Sequence, residues 1–171
     1  MITIVKKIWN ELANRLSSSC KISRIELVCL IQQVVNGFKK GIDKDMFSEF
    51  PIFKFYLRDD ISNYIVENAP RNDDYDSVKR IILEKEPSTD TSRVSLLAEI
   101  LRGLVEYKTS LECSNCNDDD LIAMYDNNRS KLLLVCNTCG WVQDLNGAER
   151  KVMGYLTPAK KELLKENNLI D

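Results

Sequence analysis

Two Cys-x2-Cys pairs, Cys113 with Cys116 and Cys136 with Cys139, constrain this chain of 171 residues more than any other feature. Two residues between thiols let a tight turn aim both sulfurs at one point. Two such turns at the ends of a hairpin can then complete a tetrahedron of sulfur around a metal ion. The nineteen residues between the pairs are enough for two short strands and their turn. Gly140 follows the last cysteine, where the backbone must turn left-handed to point its N–H groups at the thiolates. Asn117 holds the equivalent place after the first pair, and asparagine tolerates the same conformation.

Residues 113–145, about a fifth of the chain, resemble the zinc-ribbon family in this spacing. The resemblance implies one structural zinc held by Cys113, Cys116, Cys136 and Cys139. Four unpaired cysteines in a packed subdomain, two disulfides, or an iron centre on the same ligands are the competing readings of four such cysteines. A thioredoxin-type redox pair needs a strand-then-helix setting, which the flanking sequence lacks. With four protein ligands no position is left for water, so the ion is expected to fold the ribbon and to catalyse nothing.

Before the cysteines the pattern is helical. Ile4, Ile8, Trp9, Leu12 and Leu16 recur at helical spacing and predict an amphipathic helix from about Ile2 to Leu16. Ser23 and Glu26 form a capping-box pattern ahead of Leu27, Leu30, Ile31, Val34 and Val35, with Gly37 or Gly41 as the stop. Pro51 suits the first turn of a third helix running through Phe53, Leu57, Ile61, Tyr64 and Ile65 to Ala69-Pro70. A short helix is expected around Val78–Leu83, and another after the caps at Thr89–Ser92, ending near Val105. Leu121–Tyr125 and Leu132–Val135 read as strands around the turn formers Asp126–Ser130, and Trp141-Val142 as the start of a third. Thr157-Pro158 reads as a helix cap followed by a first-turn proline, opening a helix over Ala159–Glu166. The expected fold is α+β and mainly α: a helical domain over 1–110, a three-stranded antiparallel zinc ribbon over 111–146, and a C-terminal helical extension over 147–171.

The chain has no histidine, which removes Ser-His and Cys-His pairs and every His-ligated catalytic metal. Carboxylate catalysis through Glu99, Glu106, Asp59 or Asp60 is the remaining enzymatic reading, and no constellation in the sequence supports it. The expectation is a non-enzymatic protein. The basic residues at the N-terminus follow its apolar stretch, unlike a secretory signal, and no apolar run approaches the ~18 residues of a membrane helix. A cytoplasmic location is therefore expected, with the cysteines reduced or metal-bound.

A formal charge of −2 and a pI near 5.4 argue against a dedicated phosphate binder. From Cys113 to Leu145 five acidic residues, Asp118, Asp119, Asp120, Asp126 and Asp144, face only Arg129 and Lys131. Four thiolates on a divalent ion add more negative charge, so the module is expected to repel nucleic acid and to suit a basic protein partner. The run Asp118-Asp119-Asp120 is the candidate contact, though such runs commonly serve as solvated turns. Phe47, Phe50, Phe53, Phe55 and Tyr56 read as core, as do Cys20 and Cys29; Lys39-Lys40 and Lys160-Lys161 read as solvated helix ends. The small acidic chain is loosely similar in character to bacterial immunity proteins, which implies neutralisation of a basic toxin. A transcription- or RNA-associated ribbon adaptor is the alternative.

Overall fold

A computed structural model describes residues 3–38, 51–118, 120–152 and 154–171, with the backbone alone for 51–53. It has a mainly helical N-terminal part, then a four-stranded antiparallel sheet and a short C-terminal helix, an α+β fold. The described residues fall into two compact units. Unit 1 draws on 1–61 and 73–104, and unit 2 on 62–72 and 105–171, so the chain passes between them three times.

Unit 1 is helical. Helices α1 (Ile4–Ser18) and α2 (Arg24–Gly37) start where their caps dictate. The Thr3 hydroxyl accepts from the Lys6 N–H, and Ser23 and Glu26 form the expected reciprocal box. Helix α1 packs against α2 and against α4 (Tyr75–Glu84), burying Leu12, Leu16, Leu27, Val28, Ile31, Val78 and Ile82. Asp74 and Ser77 build a second capping box at the start of α4. Helix α5 (Asp90–Val105) follows Thr89, whose hydroxyl accepts from the Ser92 N–H at 3.1 Å.

The third helix is much shorter than its apolar spacing predicts. Helix α3 covers only Pro51–Tyr56, and Ile61–Asn63 forms a separate 3-10 turn. The Gln32 amide donates to the carbonyls of Tyr56 and Arg58 at 2.8 and 3.0 Å, taking acceptors that a continuing helix would use. Arg58 also closes on Asp60, two residues away, through two of its nitrogens. Tyr56 is core, as expected, whereas Cys20 is exposed and Cys29 half-buried. Phe47, Phe50, Lys39, Lys40, Gly41 and the side chain of Phe53 lie outside the described residues.

Unit 2 is built on the sheet, in the order β3-β2-β1-β4. Strands β1 (Leu121–Asp126) and β2 (Lys131–Cys136) form the hairpin, with Leu121 opposite Cys136 at one end and Asp126 opposite Lys131 at the other. The Asp126 carboxylate accepts from the N–H groups of Asn128 and Arg129, which closes the turn. Strand β3 (Val142–Gln143) pairs with β2.

The far edge of β1 is covered twice. Residues 107–109 bond to its first half, Thr109 N–H to Leu121 O at 2.8 Å and Ala123 N–H to Tyr107 O at 3.0 Å. Strand β4 (Leu156–Pro158) pairs with its second half, so the sheet gains a fourth strand beyond the expected three. Thr157-Pro158 therefore does not open a helix. The Thr157 hydroxyl meets the Asn127 amide at 3.2 Å, and the last helix, α6 (Lys161–Glu166), begins after Lys160 without a side-chain cap. Pro158, lacking an N–H, suits an outer strand. Asn72 anchors the 107–109 segment by donating to Glu106 O at 2.7 Å and accepting from the Lys108 N–H at 3.0 Å. Among the described residues no helix is long and apolar enough to cross a membrane.

Candidate metal centre

The two cysteine turns have the same backbone construction. In the first, Asn117 N–H donates to Cys113 O at 2.8 Å and Cys113 N–H to Asp118 O at 2.7 Å. In the second, Gly140 N–H donates to Cys136 O at 2.9 Å and Cys136 N–H to Trp141 O at 2.8 Å. Asn117 and Gly140 occupy equivalent left-handed positions, with φ of 58° and 72°. Asparagine thus serves where the spacing alone suggests glycine.

All four sulfurs lie within 4.8 Å of one another. Cys113 Sγ is 3.7 Å from Cys139 Sγ, and Cys116 Sγ is 3.6 Å from Cys136 Sγ. A sulfur tetrahedron with ~2.3 Å metal–sulfur bonds has edges of about 3.8 Å, whereas a disulfide brings its sulfurs to about 2.05 Å. These two separations are close to a tetrahedral edge and far longer than a disulfide bond, and all four thiols are free. The group can hold one metal ion such as zinc. A cluster of four cysteines on a small antiparallel sheet is consistent with a zinc-ribbon-like module.

Burial divides the four cysteines into two kinds. Cys113 and Cys136 are buried and belong to the apolar core of unit 2, with Leu121, Ala123, Leu132, Leu134, Ala159 and Leu164. Cys116 and Cys139 are exposed at the rim. Each turn thus contributes one sulfur from the core side and one from the solvent side, making the centre continuous with the packing of the sheet.

N–H groups surround the sulfurs. The Asn115 amide lies 3.5 Å from Cys139 Sγ, and this contact, with the Trp141 N–H, lowers the Cys139 thiol to about 6. The Asp118 N–H favours the Cys116 thiolate, but desolvation and the three neighbouring thiols outweigh it and push Cys116 up to about 12. Desolvation also raises Cys136, against the N–H groups of Cys139 and Thr138. Four thiols this close resist ionising together. A divalent cation held among them would supply the charge that lets all four do so.

Two side-chain ties hold the turns in place. Gln143 of β3 is buried, and its amide oxygen accepts from the Ser114 N–H at 2.9 Å. The Thr138 hydroxyl donates to the Asp118 carboxylate at 2.8 Å, and Asn137 N–H donates to Asp120 O at 2.9 Å. Asp118 also accepts from the Asp120 N–H. Asp118 and Asp120 are half-buried beside the cysteine turns, and Asp119 lies outside the described residues. The sequence gives no sign of the Gln143 tie, since glutamine in a short strand carries no signal of its own.

The carboxylates considered for catalysis have ordinary settings. Asp60 is held by Arg58, Glu99 is exposed on α5, and Glu106 is buried where the chain enters unit 2. No protein-family model, curated protein or solved structure matches the chain.

Proposed function

We propose that this chain is a non-enzymatic protein that acts by binding another protein, with one structural zinc ion folding its sheet unit. The closed group of four thiols carries this reading. Every ligand comes from the protein and two are embedded in the apolar core, which suits a folding role and leaves no coordination position for a reactant.

The rim of the cysteine turns supports a partner of opposite charge. Asp118 and Asp120 stand there beside the exposed Cys116 and Cys139, and the filled site carries a formal charge of about −2 in addition. A basic protein face complements this surface. Within that class, neutralisation of a basic toxin by an immunity protein is the specific form we propose from the character of the sequence.

The test is association with the protein that co-purifies with this chain. Asp118 participates in the tie to Thr138, so the variant Asp119→Asn/Asp120→Asn leaves it untouched. We expect slower association and a weaker salt dependence with the fold unchanged, because rim charges mainly steer encounter. An unchanged association rate, or tight binding of random nucleic acid at physiological salt, would overturn the reading.

A further inference from the structure

The average charge of the ribbon conceals a segregation along the hairpin. The cysteine turns and their aspartates occupy the end where Leu121 faces Cys136. The opposite end, where Asp126 faces Lys131, carries Arg129 and Lys131. Lys151 joins them there, because Arg129 Nη1 donates to its carbonyl at 2.8 Å. The acidic residue of this turn, Asp126, is buried; one of its carboxylate oxygens accepts from the N–H groups of Asn128 and Arg129, and the other is buried without a hydrogen-bond partner among the described residues. Lys131 and Lys151 are exposed and have no ion-pair partner among the described residues. The register spans five residue steps, or about 17 Å, roughly two Debye lengths at physiological salt. The two ends therefore present opposite signs to solvent almost independently.

Tyr155 lies at the same tip and is 92% exposed. Its position is built into the loop. The Asn127 amide lies 3.5 Å from the Tyr155 carbonyl and 3.2 Å from the Thr157 side-chain hydroxyl, tying the residue itself and its downstream neighbour to the turn. Gly154 just before it has a φ of 126° and lies so close to Asn128 that an added Cβ would be 2.3 Å from that amide nitrogen. Gly154 and Tyr155 are thus held against the turn, while Tyr155 itself is open to water. Tyrosine and arginine are the residue types that protein interfaces concentrate at their energetic centres.

We propose that this tip, formed by Arg129, Lys131, Lys151 and Tyr155, is a second interaction surface, and that its partner is a short acidic protein segment carrying an apolar side chain. Three cations can neutralise a few carboxylates while the ring of Tyr155 covers the apolar group. A long polyanion fits less well: three phosphate contacts give little counterion release, and a strand extending along the hairpin meets the acidic end. This surface is separate from the rim assigned to a basic partner, so either can fail without the other.

The experiment measures binding of the zinc-loaded full chain to a fluorescein-labelled peptide alternating glutamate with leucine, beside labelled oligothymidylate, at low and physiological salt. We expect the peptide to bind in preference to the oligonucleotide. Tyr155→Ala and Lys131→Ala/Lys151→Ala should each weaken it about tenfold with the melting temperature unchanged. Asp119→Asn/Asp120→Asn should leave it unaffected at physiological salt. No binding of the peptide, equal binding by the tip variants, or tighter binding of oligothymidylate would each overturn the proposal.

Discussion

The Thr138 hydroxyl donates to the Asp118 carboxylate across 2.8 Å, joining two cysteine turns that are twenty residues apart in sequence. An aspartate that reads as a candidate partner contact therefore has a definite internal task. It keeps the turns in register, and with them the sulfurs that each turn presents. Thr138→Val and Asp118→Asn should each loosen this tie, costing about 1 kcal/mol because the bond is exposed. Chelator competition checks this: both variants should release zinc at a lower chelator concentration than the parent. Combining the two substitutions should cost little more than either alone.

Metal content and fold should change together at Cys136. Elemental analysis should find one zinc per parent chain and none in Cys136→Ser. Losing the ion removes the core-side anchor of β2, so that variant should lose the ordered sheet of unit 2. Most of the far-ultraviolet helical signal should remain, because α1, α2, α4 and α5 bury apolar faces without the ion. A metal-free Cys136→Ser protein with an intact sheet would contradict the structural role.

The two left-handed positions should differ in tolerance. Gly140→Ala places a Cβ at a φ of 72° and should destabilise the second turn by about 1–2 kcal/mol, read as a lower melting temperature of the zinc-loaded protein. Asn117→Gly should be tolerated, since asparagine already accepts that geometry and glycine accepts it more freely.

Acid should weaken α4 through its cap. The Ser77 N–H and then its hydroxyl hold the Asp74 carboxyl below its ordinary value. Its folded value thus lies below its unfolded one. The stabilisation is present above the unfolded value, about pH 4, and is lost as pH falls through the folded one. Asp74→Ala should cost about 1 kcal/mol at neutral pH. The gap between variant and parent melting temperatures should narrow as the pH falls below the unfolded value, about pH 4. Zinc leaves both proteins in acid, so the comparison isolates the cap.

The parts of the fold that were legible in the sequence depend on near neighbours. Ser23 and Glu26 satisfy each other within one helical turn, and the cysteine spacing requires only a tight turn at each end of a hairpin. The rest was decided by partners far along the chain. Helix α3 stops early because the Gln32 amide, from α2, takes the carbonyls it would need. Thr157-Pro158 has the local chemistry of a helix start, yet the open edge of β1 draws it into the sheet. The same limit applies at the site: that the four cysteines would cluster could be read from their spacing, but Gln143 and Thr138 find their partners only once the strands are in register.

The alternation of the chain between its two units bears on how the sheet unit could be inherited or excised. Residues 62–72 belong to it, although thirty-two residues assigned to the helical unit separate them from its remainder. Asn72, which fastens the stretch leading into β1, comes from that early piece. A gene fragment beginning at residue 105 would encode all four cysteines and still lack this fastening. A sheet unit excised at residue 105 is thus expected to hold its first segment less firmly than the whole chain does.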